Sequence, residues 1–253
     1  MVSLAPSLTE IICAVGAADQ LVGRTSVCDY PPEAVSNTAV IGDFGAPSLE
    51  ALLAVKPTLV LHVDLADETL AGKLDNLGIR HQRIPCSRLD EVPAAIETVG
   101  RLLHHEERAA ALAAALRNGI SARRSALPPP EQRPVVLAII WHDPLTAAGS
   151  RSFIADLVSL AGGRNLGDAV ARDYFPVSAE WVLANDPEVI LCFFMAGRIS
   201  VRQLVMRQAG WERTRAVRNR RVYDGFDNNV MLRPGPRILE AADALHACIA
   251  NSP

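Results

Sequence analysis

Histidine and cysteine stand at the ends of apolar runs in this sequence. His62 follows Leu59–Leu61, and Cys192 follows Val189–Leu191. His142-Asp143 follows Val135–Ile140, and Cys28-Asp29 follows Leu21–Gly23. Imidazole and thiolate suit soft or borderline metals. Phe44, Trp141, Tyr174, Phe175 and Phe193 lie at similar boundaries. Apolar surface with a few polar groups is the usual make-up of a small-molecule site. Taken singly, each of these residues reads as an ordinary buried or loop position; their shared placement singles them out. The sequence has no GxGxxG, GxxxxGK[ST], GxSxG, HExxH or EF-hand loop, so the common signatures of nucleotide, hydrolase and metalloprotease chemistry are missing. Ligand binding without catalysis is the expectation. His104-His105-Glu106-Glu107 reads as a solvated helical face.

The elements that must position these residues recur along the chain. Residues 47–62 read PSLEALLAVKPTLVLH. Ser48 is a good helix N-cap, and Glu50 lies in the first turn, where a negative charge meets the positive end of the helix dipole. Pro57 disfavours helix at Lys56. The short apolar run that follows fits a strand buried on both faces, as in a parallel sheet. Residues 177–192 read VSAEWVLANDPEVILC, which repeats the layout at an offset of 130: Ser178, Glu180, Leu183, Ala184, Pro187 and Leu191 match Ser48, Glu50, Leu53, Ala54, Pro57 and Leu61. A second piece recurs at an offset of 146, where Asp156, Leu157, Val158 and Gly162 match Glu10, Ile11, Ile12 and Gly16. A glycine past a helix end permits a left-handed C-cap. Two pieces recurring in the same order predict a duplicated, two-lobed α/β protein.

Residues 91–126 have a helical composition almost throughout, and Pro128-Pro129-Pro130 then breaks it. The expected organisation is α/β, with two lobes built on central, mostly parallel sheets and bridged by one long α-helix. It comprises an N-terminal lobe over 1–92, a bridging helix over 93–126 and a C-terminal lobe over 127–253 that ends in the amphipathic helix 235–250. Ligands of open α/β sheets sit outside the carboxyl ends of the strands, and in a two-lobed protein those ends can face each other across a cleft.

Composition narrows the function classes. The 253 residues are 49% hydrophobic and 21% charged with a net charge of −3, ordinary for a globular protein. The Arg-rich stretch 213–221 reads as a solvated helix end and turn rather than a nucleic-acid surface. No run approaches the ~18 apolar residues of a membrane span. Five cysteines, at 13, 28, 86, 192 and 248, include no CxxC pair, which argues for buried thiols rather than a disulfide framework or a structural zinc site. Met1 leads directly into Val2-Ser3-Leu4, read as the first strand. A trimmed leader would make the protein periplasmic or surface-anchored, and a true start at Met1 would make it cytoplasmic.

Four phrases, SLAPSLTEIICAVGAADQLVG at 3–23, CDYPPEA at 28–34, PSLEALLAVKPTLVL at 47–61 and LRPGPRILEA at 232–241, resemble the substrate-binding proteins of cobalamin and iron-complex ABC importers. The resemblance covers essentially the whole chain and is strongest in its first 60 residues. It implies two lobes bridged by a helix, and a ligand held in the cleft and passed to the permease dimer of an ABC importer. The ligand implied is cobalamin or another corrinoid, with haem or a ferric chelate as related possibilities, and no catalytic cofactor. It also implies that Glu50 and Glu180 dock into arginines on the two permease subunits. Phe44 and Tyr174 match aromatic ligand contacts by type, Trp141 supplies a neighbouring one, and Arg233 matches a polar contact. Val27 and Val63 stand where aromatics are expected. The full ligand-binding set is Ser7, Cys28, Phe44, His62, Trp141, His142, Tyr174, Phe175 and Arg233. For haem, His62 and His142 are the candidate axial ligands. The weaker metal reading would draw a bare ion to His62, Asp64, His142 and Asp143. The alternative to import is a cytoplasmic carrier, sensor or enzyme of the same fold that binds a corrinoid or metal.

Overall fold

The structure is a computed structural model that describes residues 1–63, 68–194 and 200–250. The chain forms two compact units. The first runs from Met1 to Asn118 and takes in Pro234–Pro236; the second runs from Gly119 to Arg233 and resumes at Arg237. Each is an α/β unit, as the repeat predicts.

The first unit is built on a parallel sheet of β1 (Val2–Ser3), β2 (Gly23–Arg24), β3 (Ala39–Val40), β6 (Val60–His62) and β7 (His81–Arg83), in the order β3-β2-β1-β6-β7. A small antiparallel hairpin, β4 (Gly42–Asp43) and β5 (Ala46–Pro47), stands apart from it. Strand β6 is buried along its whole length, which is why its sequence is a continuous apolar run. Val2, Ile41, Leu52, Val60 and Leu74 close the core around it. The caps are as expected: Ser48 Oγ accepts from the Ala51 N–H at the start of the helix Leu49–Ala54. Gly16, at φ +88°, follows the helix Pro6–Ala14, and Gly162, at φ +93°, follows its counterpart Phe153–Leu160.

The segment 93–126 contains two helices, Val92–Leu103 and Glu106–Ala126. His104 turns left-handed (φ 61°), and its N–H and that of His105 both reach the Gly100 carbonyl. The division between the two compact units falls within the second helix, after Asn118. Its first part joins Val92–Leu103 through a bidentate Arg117–Glu97 pair at 2.5 and 2.7 Å. Its last part is tied to the helix Ile238–Ala250 by Arg123 and Asp243. The sharp turn at His104 requires close approach: a Cβ on Gly100 would lie 2.1 Å from the Ala109 Cβ. Gly100→Ala is therefore expected to destabilise the fold by roughly 1–3 kcal/mol through overpacking, seen as a lower urea midpoint. An unchanged midpoint would mean that the two helices part freely.

The second unit is a mixed sheet of β8 (Val135–His142), β9 (Leu145–Ala148), β10 (Arg164–Asn165), β11 (Tyr174–Pro176), β12 (Val189–Cys192) and β13 (Val222–Tyr223). Its path is β11-β9-β8-β12-β13, with β10 on the first residues of β8. β10, β8, β12 and β13 are parallel; β9 and β11 add antiparallel. Trp211, fully buried, anchors a core with Ile139, Val182, Ile190 and Val222. The Arg-rich stretch is partly structural. Arg215 pairs with Asp186 and Glu188, and buried Arg221 donates to the Ile249 carbonyl near the end of the last helix.

Candidate functional site

Twelve aromatic residues occur in the chain (six Phe, three Tyr, three Trp). Four of them are exposed: Tyr30 (40%), Phe44 (55%), Trp141 (50%) and Tyr174 (46%). Two belong to each unit, and none is needed to close a core. In the first unit Tyr30 follows β2 and Phe44 tips the β4–β5 hairpin, which follows β3. Both therefore lie beyond the carboxyl ends of parallel strands, where α/β sheets bind ligands.

In the second unit Trp141 lies at the carboxyl end of β8, and its indole N–H donates to the Asp143 carbonyl at 3.0 Å. Trp141 faces Thr146, Thr146 faces Pro176, and Tyr174 lies two residues before Pro176. Facing residues share a sheet face, and so do residues two apart. Trp141 and Tyr174 thus stand on one face. Phe175 faces Ala147 and Ile139, on the opposite face. It is buried in the core and packs edge-on against Trp181 at 5.6 Å. That places Phe175, expected among the ligand contacts, in the core.

Ser7 and Cys28, also expected among the ligand contacts, are buried as well. Ser7 is buried in the first turn of Pro6–Ala14 and hydrogen-bonds the Cys86 thiol. Cys28 is wholly buried, its Sγ 3.0 Å from Thr25 Oγ1. Cys192, at the end of β12, and Phe193, which stacks on Phe226, are core residues as well.

The two histidines differ. His62 ends β6 almost fully buried; its Nε2 is 3.3 Å from His81 Nδ1, and His81 Nε2 is 3.1 Å from Asp75 Oδ1. A carboxylate accepts only, so His81 donates from Nε2 to Asp75. His142 ends β8, stacked on Phe194 at 5.1 Å and adjacent to Trp141 at 5.3 Å. Its buried Nδ1 has no hydrogen-bond partner among the described residues. Arg233 donates to Asn229 Oδ1 at 2.6 Å, which orients its guanidinium. Among the described residues no group of three or more His, Cys, Asp or Glu is placed to hold a metal ion, and Asp64 lies outside them.

Glu50 and Glu180 occupy matching positions. Each is exposed in the first turn of a short helix whose serine N-cap accepts from a backbone N–H: Ser48 from Ala51 and Ser178 from Trp181. The Glu180 carboxyl is held below its ordinary range, first by its own backbone N–H and then by the Ser178 hydroxyl. No helix among the described residues is long and apolar enough to cross a membrane.

All five cysteines are free thiols. Burial pushes Cys86 up to about 12 and Cys13 up to about 11, and raises Cys192 and Cys248. The thiolate is the reactive form. Cys28, Cys86 and Cys192, all buried, are expected to resist Ellman's reagent at neutral pH until the protein is unfolded. Fast reaction of any of the three in the folded protein would contradict their placement in the core.

Tyr30 is the one exposed aromatic that the sequence reading passed over. In CDYPPEA it reads as part of a turn, and the signal available was an aromatic side chain just past the end of β2.

Residues 1–228 match the family model described as "Periplasmic binding protein". A cobalamin-binding protein of Halobacterium salinarum is 30% identical, over 97% of this chain and 69% of the relative. An uncharacterized ABC transporter substrate-binding lipoprotein, YvrC of Bacillus subtilis, is 25% identical, over 97% of this chain and 78% of the relative. Among solved structures, the periplasmic heme-binding protein RhuT from Roseiflexus sp. RS-1, in apo form, superposes with a TM-score of 0.84 at 28% identity, covering 98% of this chain and 96% of that one.

Proposed function

The chain belongs to the periplasmic binding protein family, and from that premise we propose that it captures a corrinoid or a related metallated tetrapyrrole and delivers it to an ABC importer. One observation carries the reading: the exposed aromatics Tyr30, Phe44, Trp141 and Tyr174, two in each unit, lie at strand ends and strand faces that no core requires. Aromatic rings offer large flat apolar area, and stacking adds about 0.5–1.5 kcal/mol beyond area burial for a well-placed pair. A tetrapyrrole is a broad flat partner for such rings, and cobalamin and heme, named in the relatives above, both belong to that class. Arg233, oriented by Asn229, supplies a cation for a ligand carboxylate or phosphate. Val27 and Val63 replace two aromatics of the cobalamin-binding pattern, so ligand choice within the class rests on the four that remain.

The same reading gives the chain a permease as its partner, with Glu50 and Glu180 docking on basic side chains, and a place outside the cytoplasm, in the periplasm or anchored at the surface. Its role is binding and hand-over, without a catalytic cofactor.

Thermal shift with cyanocobalamin, cobinamide, hemin and a ferric siderophore tests it. A ligand present at 100 times its Kd adds about 2.7 kcal/mol to stability, a rise of roughly 5–10 °C for a chain of this size. A shift with a corrinoid or hemin supports the reading. A shift with the siderophore alone, or with none of the four, contradicts it.

A further inference from the structure

We infer that docking on the permease is amphipathic: beside each glutamate the helix carries an apolar patch, Leu53-Ala54 in one unit and Leu183-Ala184 in the other, that meets apolar surface next to the basic side chain of the partner. The inference rests on the docking half of the proposed function and concerns what else that face must touch.

Residues advance about 100° per position around a helix, so positions i, i+3 and i+4 share a face. In Leu49–Ala54 that places Leu53 and Ala54 beside Glu50, while Leu52 points the other way into the core. In Ala179–Asn185 it places Leu183 and Ala184 beside Glu180, while Val182 is buried. The two faces thus carry one side-chain set, recurring at an offset of 130. Leu183 packs partly on the core of its unit, whereas Leu53 is not among the residues packed on the core of its own. Leu53 is 41% exposed, on a helix whose hydrophobic burial is already supplied by Leu52.

The partner's chemistry follows from the charge beside the patch. Glu180 is held ionised by its own N–H and by Ser178, and Glu50 has the same serine N-cap geometry. An exposed carboxylate flanked by leucine and alanine is complementary to a cation set beside apolar surface.

The two patches differ in relief. Leu183 folds partly onto the core of its own unit, against Gly210. It leaves an open cavity of about 460 Å³ lined by Leu183, Ala184, Asp186, Arg213 and Thr214. Leu53 stands out instead. The first unit offers a knob, and the second a shallow socket with Arg213 at its edge.

The test uses the full chain loaded with cyanocobalamin, or with hemin if that is the ligand it binds, and an importer complex in lipid nanodiscs. Leu53→Ser and Ala184→Gln are both at exposed positions that leave the cores untouched. Each is expected to weaken association about tenfold, Leu53→Ser by losing some 50–70 Å² of apolar burial and Ala184→Gln by placing a polar amide in the apolar contact, with ligand affinity unchanged. The dependence on salt should stay that of the wild type, because no charge is lost. Glu50→Ala, measured alongside, should weaken association and flatten its salt dependence. If Glu50→Ala weakens association and both patch variants match the wild type, the amphipathic contact is overturned and glutamate docking stands. If Glu50→Ala has no effect, or the wild type does not associate, the docking reading falls and takes this inference with it. Self-association of the chain that Leu53→Ser abolishes would assign the face to a second copy and overturn the inference.

Discussion

Glu50→Ala combined with Glu180→Ala is expected to abolish importer-coupled uptake and to leave ligand affinity unchanged. Both carboxylates are exposed on short surface helices, at matching positions of a duplicated unit. Neither belongs to a core or to the aromatic set, so their loss removes charge without disturbing the ligand residues. Uptake is measured in proteoliposomes carrying the importer, and affinity by titration of the soluble chain. Each single variant should retain part of the activity, because the other unit still docks. The acid limit follows from the Glu180 carboxyl. Its pKa is lowered, so the Glu180 contribution to docking survives mild acid and is lost only as the pH falls below the ordinary carboxylate range. A double variant with reduced ligand affinity and normal uptake per bound ligand would place these glutamates in the ligand site.

The second large effect concerns the exposed aromatics. Trp141→Ala and Tyr174→Ala remove rings on one face of the second unit, and Phe44→Ala removes the ring at the hairpin tip of the first. All three are about half exposed, so the fold should keep its denaturation midpoint to within about 0.5 kcal/mol. Ligand affinity should fall by about ten- to a hundredfold for each, the range of a truncated aromatic hot spot. Phe175→Ala is the control. Its ring lies in the core on the opposite face, and the expected cost is stability, about 3–5 kcal/mol. If Phe175→Ala lowered affinity while the exposed rings proved neutral, the face assignment made from strand register would be wrong.

Much of this organisation was legible in the sequence because local rules coincide with tertiary need. Ser48 and Ser178 cap the helices they were expected to cap. The runs ending at Leu61 and Leu191 are central strands, because only strands covered on both faces carry unbroken apolar sequence. Gly16 and Gly162 adopt the left-handed conformation that the repeat anticipated. The turn at His104 was not legible. No glycine or proline marks it, and it is imposed by the contact of Gly100 with Ala109. The antiparallel strands β9 and β11 escaped notice because LTAA and YFP are too short to show a period.

The candidate site was read less completely than the fold, for a similar reason. Adjacent strand residues point to opposite faces, so Tyr174 and Phe175 stand on opposite sides of the sheet, and sequence alone does not say which faces outward. Burial decided it. Cys28 follows β2 and Ser7 lies in the first turn of the helix Pro6–Ala14, and small side chains at such places are easily covered, as both are. Tyr30 carries no pattern of its own in CDYPPEA, and only its exposure marks it.

Isothermal titration of the purified chain with cyanocobalamin, cobinamide and hemin tests the central claim most directly. The account predicts saturable binding of at least one of them at a Kd of about 1 μM or tighter, some 8 kcal/mol of binding free energy, with the affinity weakened about ten- to a hundredfold in Trp141→Ala. Absence of binding heat for all three at several temperatures, from a folded sample, would contradict it.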